Sequence, residues 1–147
     1  MGKLLQRLQD HSRSGVYRVR SDIELLDALQ GSGPSLHRVS LDGVVRKEDL
    51  LDRIARALAF PDHFGRNWDA LKDCLSDLSW LDAGGHVVIF QEYAGVPAGD
   101  REVLMEILQT CAGIWARPPQ PFHAEPFFAV FVDPGGRLPL PDLFREA

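Results

Sequence analysis

The chain has 147 residues, 45% of them hydrophobic and 25% charged, a composition typical of one soluble globular domain. Its net charge is −5, and residues 61–82 carry five aspartates against one arginine and one lysine, a local charge of −3. An acidic surface argues against direct nucleic-acid binding and favours a basic protein partner. No segment predicts a membrane span or a signal peptide, and two cysteines are too few for a disulfide scaffold. We therefore expect a cytoplasmic protein with reduced thiols and no membrane partner.

The first 35 residues are predicted to form an N-terminal extension. Leucines within residues 4–8 predict a short amphipathic helix, and the alternation in residues 16–19 predicts a half-buried strand. Ser21, with Glu24 three residues later, predicts the capping box of a further helix. The pattern leaves open whether this extension adds to a sheet or serves as a docking addition.

A strand is predicted at residues 36–41, with His37 as a surface side chain, and an amphipathic helix at residues 47–58. Residues 87–90 and 127–132 are continuous apolar runs, typical of strands buried on both faces.

A long helix is predicted between these two runs, so the order from residue 36 is strand, helix, helix, strand, helix, strand. Helical crossovers between buried strands favour a parallel sheet. We predict an α/β domain over residues 36–133, with a small parallel sheet of about three strands. Residues 134–147 contain two prolines and are predicted to be a loosely ordered C-terminal tail.

The stretch at residues 60–78 carries the most specific pattern. Pro61 is expected to end the preceding helix, since the residue before a proline avoids the helical region. Gly65 is expected to reverse the chain with a positive φ, and Asn67 to cap the next helix.

That next helix has an apolar stripe at spacings of three and four residues, formed by Trp68, Leu71, Leu75 and Leu78. Asp69, Asp73 and Asp77 recur every four residues on nearly the opposite face. Asp69 suits the first turn, where the helix dipole favours an anion. Like charges four residues apart destabilise a helix by roughly 0.2–0.5 kcal/mol per pair. Taken alone, three surface aspartates are better explained as a solvated acidic face; together with the adjoining loop they favour a binding role.

The run FGRNWDALKDCL at residues 64–75 resembles the barstar family of intracellular ribonuclease inhibitors. The resemblance implies the fold described above and a loop and helix that plug the active site of a ribonuclease. It also implies that Asp69 and Asp73 meet basic groups of that enzyme. Three positions depart from the family: His63 replaces a tyrosine, Lys72 an aromatic residue, and Leu78 an interface tryptophan.

Carboxylates on a rigid helix can occupy phosphate positions of a ribonuclease, and loop side chains can fill a base-binding slot. The complete candidate surface consists of Asp69, Asp73, His63, Phe64, Gly65, Asn67, Lys72 and Asp77. Phe64 could equally be core packing, and Asn67 is first of all a cap.

We therefore expect an inhibitor that is monomeric when free, has no cofactor or metal, and binds a ribonuclease or other basic toxin one to one, as an immunity protein or antitoxin would. One alternative is a non-inhibitory barstar-like module for another basic protein. A less favoured alternative is a hydrolase that uses Asp69 and Asp73 as acid and base with His63. A convex helix face is a poor place to shift pKa values, and three aspartates alone make an incomplete metal site, so we predict that the protein is not an enzyme.

Overall fold

The structure is a computed structural model that describes residues 3–31, 33–81, 83–118 and 124–144. Its helices and strands are, in chain order, α1 (Lys3–Leu8), β1 (Gly15–Val19), α2 (Ile23–Ala28), β2 (Ser35–Ser40), α3 (Lys47–Ala57), α4 (Trp68–Asp77), β3 (His86–Gln91), α5 (Ala98–Ala116) and β4 (Phe127–Val132). The predicted α/β class is confirmed, and the sheet has four strands where about three were expected.

The four strands form one parallel sheet in the order β1-β4-β3-β2. From β2 to β3 and from β3 to β4 the chain crosses the sheet in one direction, and from β1 to β2 it crosses in the other. Because crossover connections are almost always right-handed, opposite directions place their helices on opposite faces. Accordingly, α3, α4 and α5 pack in one hydrophobic cluster, and α2 packs with α1 in a second cluster.

The two central strands form the floor of both clusters. Val88 and Phe90 of β3 belong to the cluster under α3, α4 and α5, whereas Val87 and Ile89 belong to the other. All four side chains are fully buried, which confirms the prediction of strands covered on both faces. Full burial of such side chains stabilises a fold by about 1.5–3 kcal/mol each. The sheet is therefore a firm base for the helices above it.

The N-terminal segment extends the sheet. Strand β1 pairs with β4 along its whole length, from Gly15 opposite Phe128 to Val19 opposite Val132. The predicted capping box is wrong: α2 begins at Ile23 after Asp22, and the Ser21 hydroxyl accepts the Ile23 N–H at 3.3 Å.

The C-terminal segment is packed as far as Phe144, contrary to the expectation of a loose tail. The N–H of Arg18 donates to the carbonyl of Pro141 at 2.9 Å, and the N–H of Leu143 donates to the carbonyl of Arg18 at 3.0 Å. Leu138, Leu140 and Leu143 are at most 5% exposed. Burial of these leucines and the bonds to β1 hold the segment in place despite its two prolines. Residues 145–147 lie outside the described ranges.

His37 is half-buried, and not the surface side chain that the sequence predicted. One of its ring nitrogens lies 3.2 Å from Nδ1 of His86, which is 1% exposed. The edge of the Trp115 ring faces His86 from α5, with ring centroids 5.7 Å apart. His37 is therefore partly covered by its neighbour on β3, although β2 is an edge strand.

Candidate partner-binding surface

The loop before α4 starts from a well-formed helix end. α3 ends at Ala57, and Ala59 takes a left-handed conformation with φ of 52°. The N–H of Phe60 donates to the Ala55 carbonyl at 2.9 Å, the bond that typifies a Schellman motif. The expectation that Pro61 ends this helix is therefore wrong, because the motif has turned the chain before the proline.

The loop does not turn through a left-handed Gly65, contrary to the prediction from the sequence. The N–H of Phe64 donates to the Pro61 carbonyl at 3.0 Å, and Arg66, not Gly65, has the positive φ, 56°. The Arg66 guanidinium donates to the Asp52 carboxylate of α3 at 2.8 Å, which links the loop to α3. At Gly65 a Cβ would lie 3.3 Å from Nδ2 of Asn67, so close approach is the role of this glycine.

The start of α4 and its buried face are as the sequence predicted. The side-chain oxygen of Asn67 accepts the N–H of Ala70 at 2.8 Å, which confirms the N-cap. Leu71, Leu75 and Leu78 are at most 1% exposed, and Trp68 packs against the same cluster. Leu78 ends the helix in the left-handed conformation, with φ of 52°.

The opposite face of α4 displays its charged side chains to solvent. Asp69, Lys72, Asp73 and Asp77 are all exposed. Within the described ranges the ion pairs are Arg46–Asp49 and Arg66–Asp52, so the three carboxylates of α4 have no cationic partner there. Their charge is available to a partner molecule.

Helix α4 is fixed to α5 by polar contacts along its buried side. The indole N–H of Trp115 donates to the Leu75 carbonyl at 2.9 Å. The Cys111 thiol lies 3.5 Å from the Lys72 carbonyl and 3.3 Å from the Ser76 hydroxyl. Both cysteines are free thiols, and burial raises the pKa of Cys111. The carboxylates are therefore displayed by a helix that is held in place.

A groove of about 640 Å³ separates the loop from α4. It is lined by Pro61, His63, Phe64, Gly65, Ala70, Asp73, Cys74, Asp77, Ser79 and Trp80. Five of the eight candidate residues meet in it, namely His63, Phe64, Gly65, Asp73 and Asp77. Asn67, Asp69 and Lys72 lie on the same loop and helix without lining the groove.

Trp80 lines the groove, and the sequence did not identify it as a site residue. Its indole N–H donates to the Leu58 carbonyl at 3.0 Å, and its ring meets Phe60 edge to face at 5.8 Å between centroids. Phe60 meets Phe64 in the same way at 4.9 Å. Phe64 is half-buried and serves both as packing and as groove wall. A tryptophan just after an acidic helix was the available signal.

In the part of the chain that the structure describes, no three His, Cys, Asp or Glu side chains are placed to hold a metal ion. In that part, too, no helix has the length and apolar composition needed to cross a membrane.

A family model described as Barstar (barnase inhibitor) matches residues 35–126, more than half of the chain. This matched region contains the loop, the acidic helix, β2, β3 and α5. No curated protein matches the chain. The chain belongs to the barstar family.

Proposed function

We propose that the protein inhibits a ribonuclease, whose active site it blocks with α4 and the loop before it. The observation that carries this proposal is the row of exposed carboxylates on a helix fixed by Trp115 and Cys111, with no cationic partner among the described residues. The chain belongs to the barstar family, whose model is described as Barstar (barnase inhibitor), and this membership supports the same proposal.

Charge complementarity supports a ribonuclease as the partner. A ribonuclease site needs Lys, Arg and His to hold phosphate and to stabilise charge during cleavage. Asp69 and Asp73 can form charge-assisted hydrogen bonds with those groups, and because α4 is already ordered, little entropy is lost when they do. The net charge of −5 attracts a basic enzyme, and the local charge of −3 on residues 61–82 directs it towards this face.

The remaining candidate residues have supporting roles in this proposal. His63 is exposed on the loop and can stack in the slot that otherwise holds a base. Gly65 and Asn67 shape the loop and begin the helix, whereas Lys72 and Asp77 flank Asp73 and set which partner fits.

We further propose that the protein acts in the cytoplasm as an immunity protein or antitoxin, is a monomer when free and binds one enzyme molecule, without catalysis of its own. In this proposal residues 36–133 form the barstar-like domain, with 1–35 as an N-terminal addition and 134–147 as a C-terminal one.

A second candidate function is a barstar-like module for a different basic protein. The observation that favours it is Leu78, which occupies the position of the family's interface tryptophan and is 1% exposed. That contact is unavailable to a partner here, and the cation of Lys72 lies between the two acids. These two departures from the family pattern, at Leu78 and Lys72, indicate a partner other than barnase.

The test is capture of partners by a tagged full-length protein, followed by an RNA-cleavage assay of each basic protein recovered. We expect a ribonuclease that wild type inhibits and that Asp69→Ala/Asp73→Ala does not. The control is Glu24→Gln/Asp27→Asn, which removes two exposed carboxylates from α2 on the other face of the sheet. Recovery of only basic proteins without RNA-cleaving activity would favour the second candidate.

A further inference from the structure

His37 and His86 form a titratable pair on the sheet, under α5, that the proposed inhibition does not use. His86 is 1% exposed, His37 is half-buried, and Nε2 of His37 lies 3.2 Å from Nδ1 of His86. One of these nitrogens must donate and the other must accept. The contact therefore tolerates one added proton, but a second proton turns both nitrogens into donors and forces the rings apart.

Trp115 connects this pair to the acidic helix. Its ring packs against His86, with centroids 5.7 Å apart, and stacks on Phe127 of β4 at 5.8 Å. Its indole N–H donates to the Leu75 carbonyl at 2.9 Å. That carbonyl lies in the last turn of α4, where carbonyls lack an N–H partner within the helix, so Trp115 supplies the missing donor. A displaced Trp115 would leave this end of α4 without that bond.

The charges around the pair identify the pair itself as the acid-sensitive element. Neither imidazole forms an ion pair with a described residue, and the charge that acts on His86 is that of His37. A proton on His11 cannot loosen α5, because its ring already donates to the Ala116 carbonyl at the end of that helix, at 3.1 Å. The charged side chains on the segments packed around the pair are Arg38 on β2, Arg56 on α3, Arg117 after α5, Glu125 before β4, and Asp73 and Asp77 on α4.

We propose that the His37–His86 pair is a pH-sensitive latch on the binding face: when both rings carry a proton, the pair opens, Trp115 is displaced, and the last turn of α4 loses its indole bond to α5. Asp73 and Asp77 are then held less firmly, and the partner is bound less tightly in mild acid. Only this effect on binding rests on the proposed function. His86 and Trp115 are thus positioning residues that act through α4.

The sign and size of the effect follow from the burial of His86. Burial, and then the neighbouring His37, lower the pKa of His86 to about 4. In the opened state the ring titrates near its ordinary value of about 6.5, so the latch is fully closed only above that pH. By linkage, His86 alone makes opening about twentyfold more favourable at pH 5 than at pH 7. A pH of 5 still lies above the range in which most carboxylates titrate.

The test is hydrogen exchange of the full-length protein, followed by nuclear magnetic resonance at pH 7 and pH 5 and corrected for the intrinsic effect of pH. The probes are the Trp115 indole and the amide of Leu78, which donates to the Cys74 carbonyl at 3.1 Å. The reference is the amide of Asp133, which donates to the Val19 carbonyl at 2.7 Å at the far end of the sheet. We expect protection of both probes to fall by up to about twentyfold and that of the reference to stay unchanged. Equal losses at all three sites, or no loss at the probes, would overturn the inference.

Variants separate the pair from other groups. His86→Gln cannot titrate and should show no loss at the probes, whereas His11→Gln, which removes an imidazole beside the end of α5, should retain the loss. A loss that persists in the first variant or disappears in the second would contradict the latch. Should His86→Gln not fold, His37→Gln decides, because it also removes the repulsion between two protonated rings.

Trp115→Phe tests the connection to α4, because it keeps an aromatic ring and removes the N–H. The Leu78 amide of this variant should be about two- to tenfold less protected than that of wild type already at pH 7, the range for one net hydrogen bond. It should then change little between pH 7 and pH 5. Protection equal to that of wild type at both pH values would show that Trp115 does not transmit the effect.

The effect on binding is measured with a ribonuclease that the tagged protein captures. Between pH 7 and pH 5, wild type should lose more affinity than His86→Gln, since only wild type contains the latch; equal losses would overturn the link to binding. An inhibited ribonuclease together with unchanged exchange at the probes would remove the inference and leave the proposed function intact. A latch seen by exchange in a protein that inhibits no ribonuclease would do the reverse.

Discussion

The contact between the buried His86 and the half-buried His37 predicts that the protein loses stability in mild acid. His86 is 1% exposed and shares a contact of 3.2 Å with His37, which needs one ring to donate and the other to accept. If both rings are protonated, both nitrogens are donors and the contact becomes repulsive. Burial, and then the neighbouring His37, lower the pKa of His86 to about 4, and burial lowers the pKa of His37.

The sign and size of the effect follow from these values. The unfolded chain takes up a proton at His86 near pH 6.5, whereas the folded chain does so only near pH 4. The neutral imidazole therefore contributes stability in full above pH 6.5, and this contribution is lost as the pH falls towards 4. A difference of about 2.5 pH units corresponds to about 3 kcal/mol at most, and His37 changes stability in the same direction.

The assay is urea unfolding from about pH 7 down to about pH 4.5, a window above the range in which most carboxylates titrate. Wild type should become progressively less stable across it, and His86→Gln, which cannot titrate, should lose most of this dependence. Equal free energies of unfolding for wild type at both ends of the window would refute the reasoning. So would a His86→Gln protein that keeps the whole slope.

Four further substitutions test the local structure of the site and its support. Asn67→Ala should lower the free energy of unfolding by about 1 kcal/mol, because the first turn of α4 loses its cap; an unchanged urea midpoint would mean that the cap is not formed. Leu71→Ala should cost about 2–5 kcal/mol and Asp73→Ala almost nothing, since only the first creates a cavity; similar midpoints would mean that the two helix faces are assigned wrongly. Gly85→Ala should cost at least about 1–3 kcal/mol, because φ is 126° and the added Cβ would lie 2.6 Å from Cγ of Pro126; calorimetry that finds an unchanged melting temperature would contradict this.

The sequence predicts the site best where the signal is local and periodic. The stripe of Leu71, Leu75 and Leu78 and the cap at Asn67 depend on spacings within one helix, and both are confirmed. The loop was less predictable, because its left-handed residue is Arg66. Its guanidinium also bonds to Asp52, fourteen positions away in the chain, a contact that no local pattern reveals.

Features that depend on distant pairing could not be assigned from the sequence. Whether β1 joined the sheet depends on contacts between Val16 and Ala129, more than a hundred residues apart. Leu143 is buried because the C-terminal segment returns to Arg18, and the prolines before it suggested the opposite. Trp80 could be assigned to packing from its type, but its place on the groove wall depends on how the loop folds back over α4.

The central claim is that the carboxylates of α4 enter the active site of the partner enzyme. The most direct measurement is the association rate and affinity for a captured ribonuclease, against salt, for wild type, Asp69→Ala and Asp73→Ala, with and without a mononucleotide in the enzyme's active site. We expect association to slow with salt, each substitution to weaken binding by about ten- to hundredfold, the range for one charge-assisted hydrogen bond, and the mononucleotide to compete directly. Unchanged affinity in both variants, together with undiminished binding to the nucleotide-filled enzyme, would contradict the account.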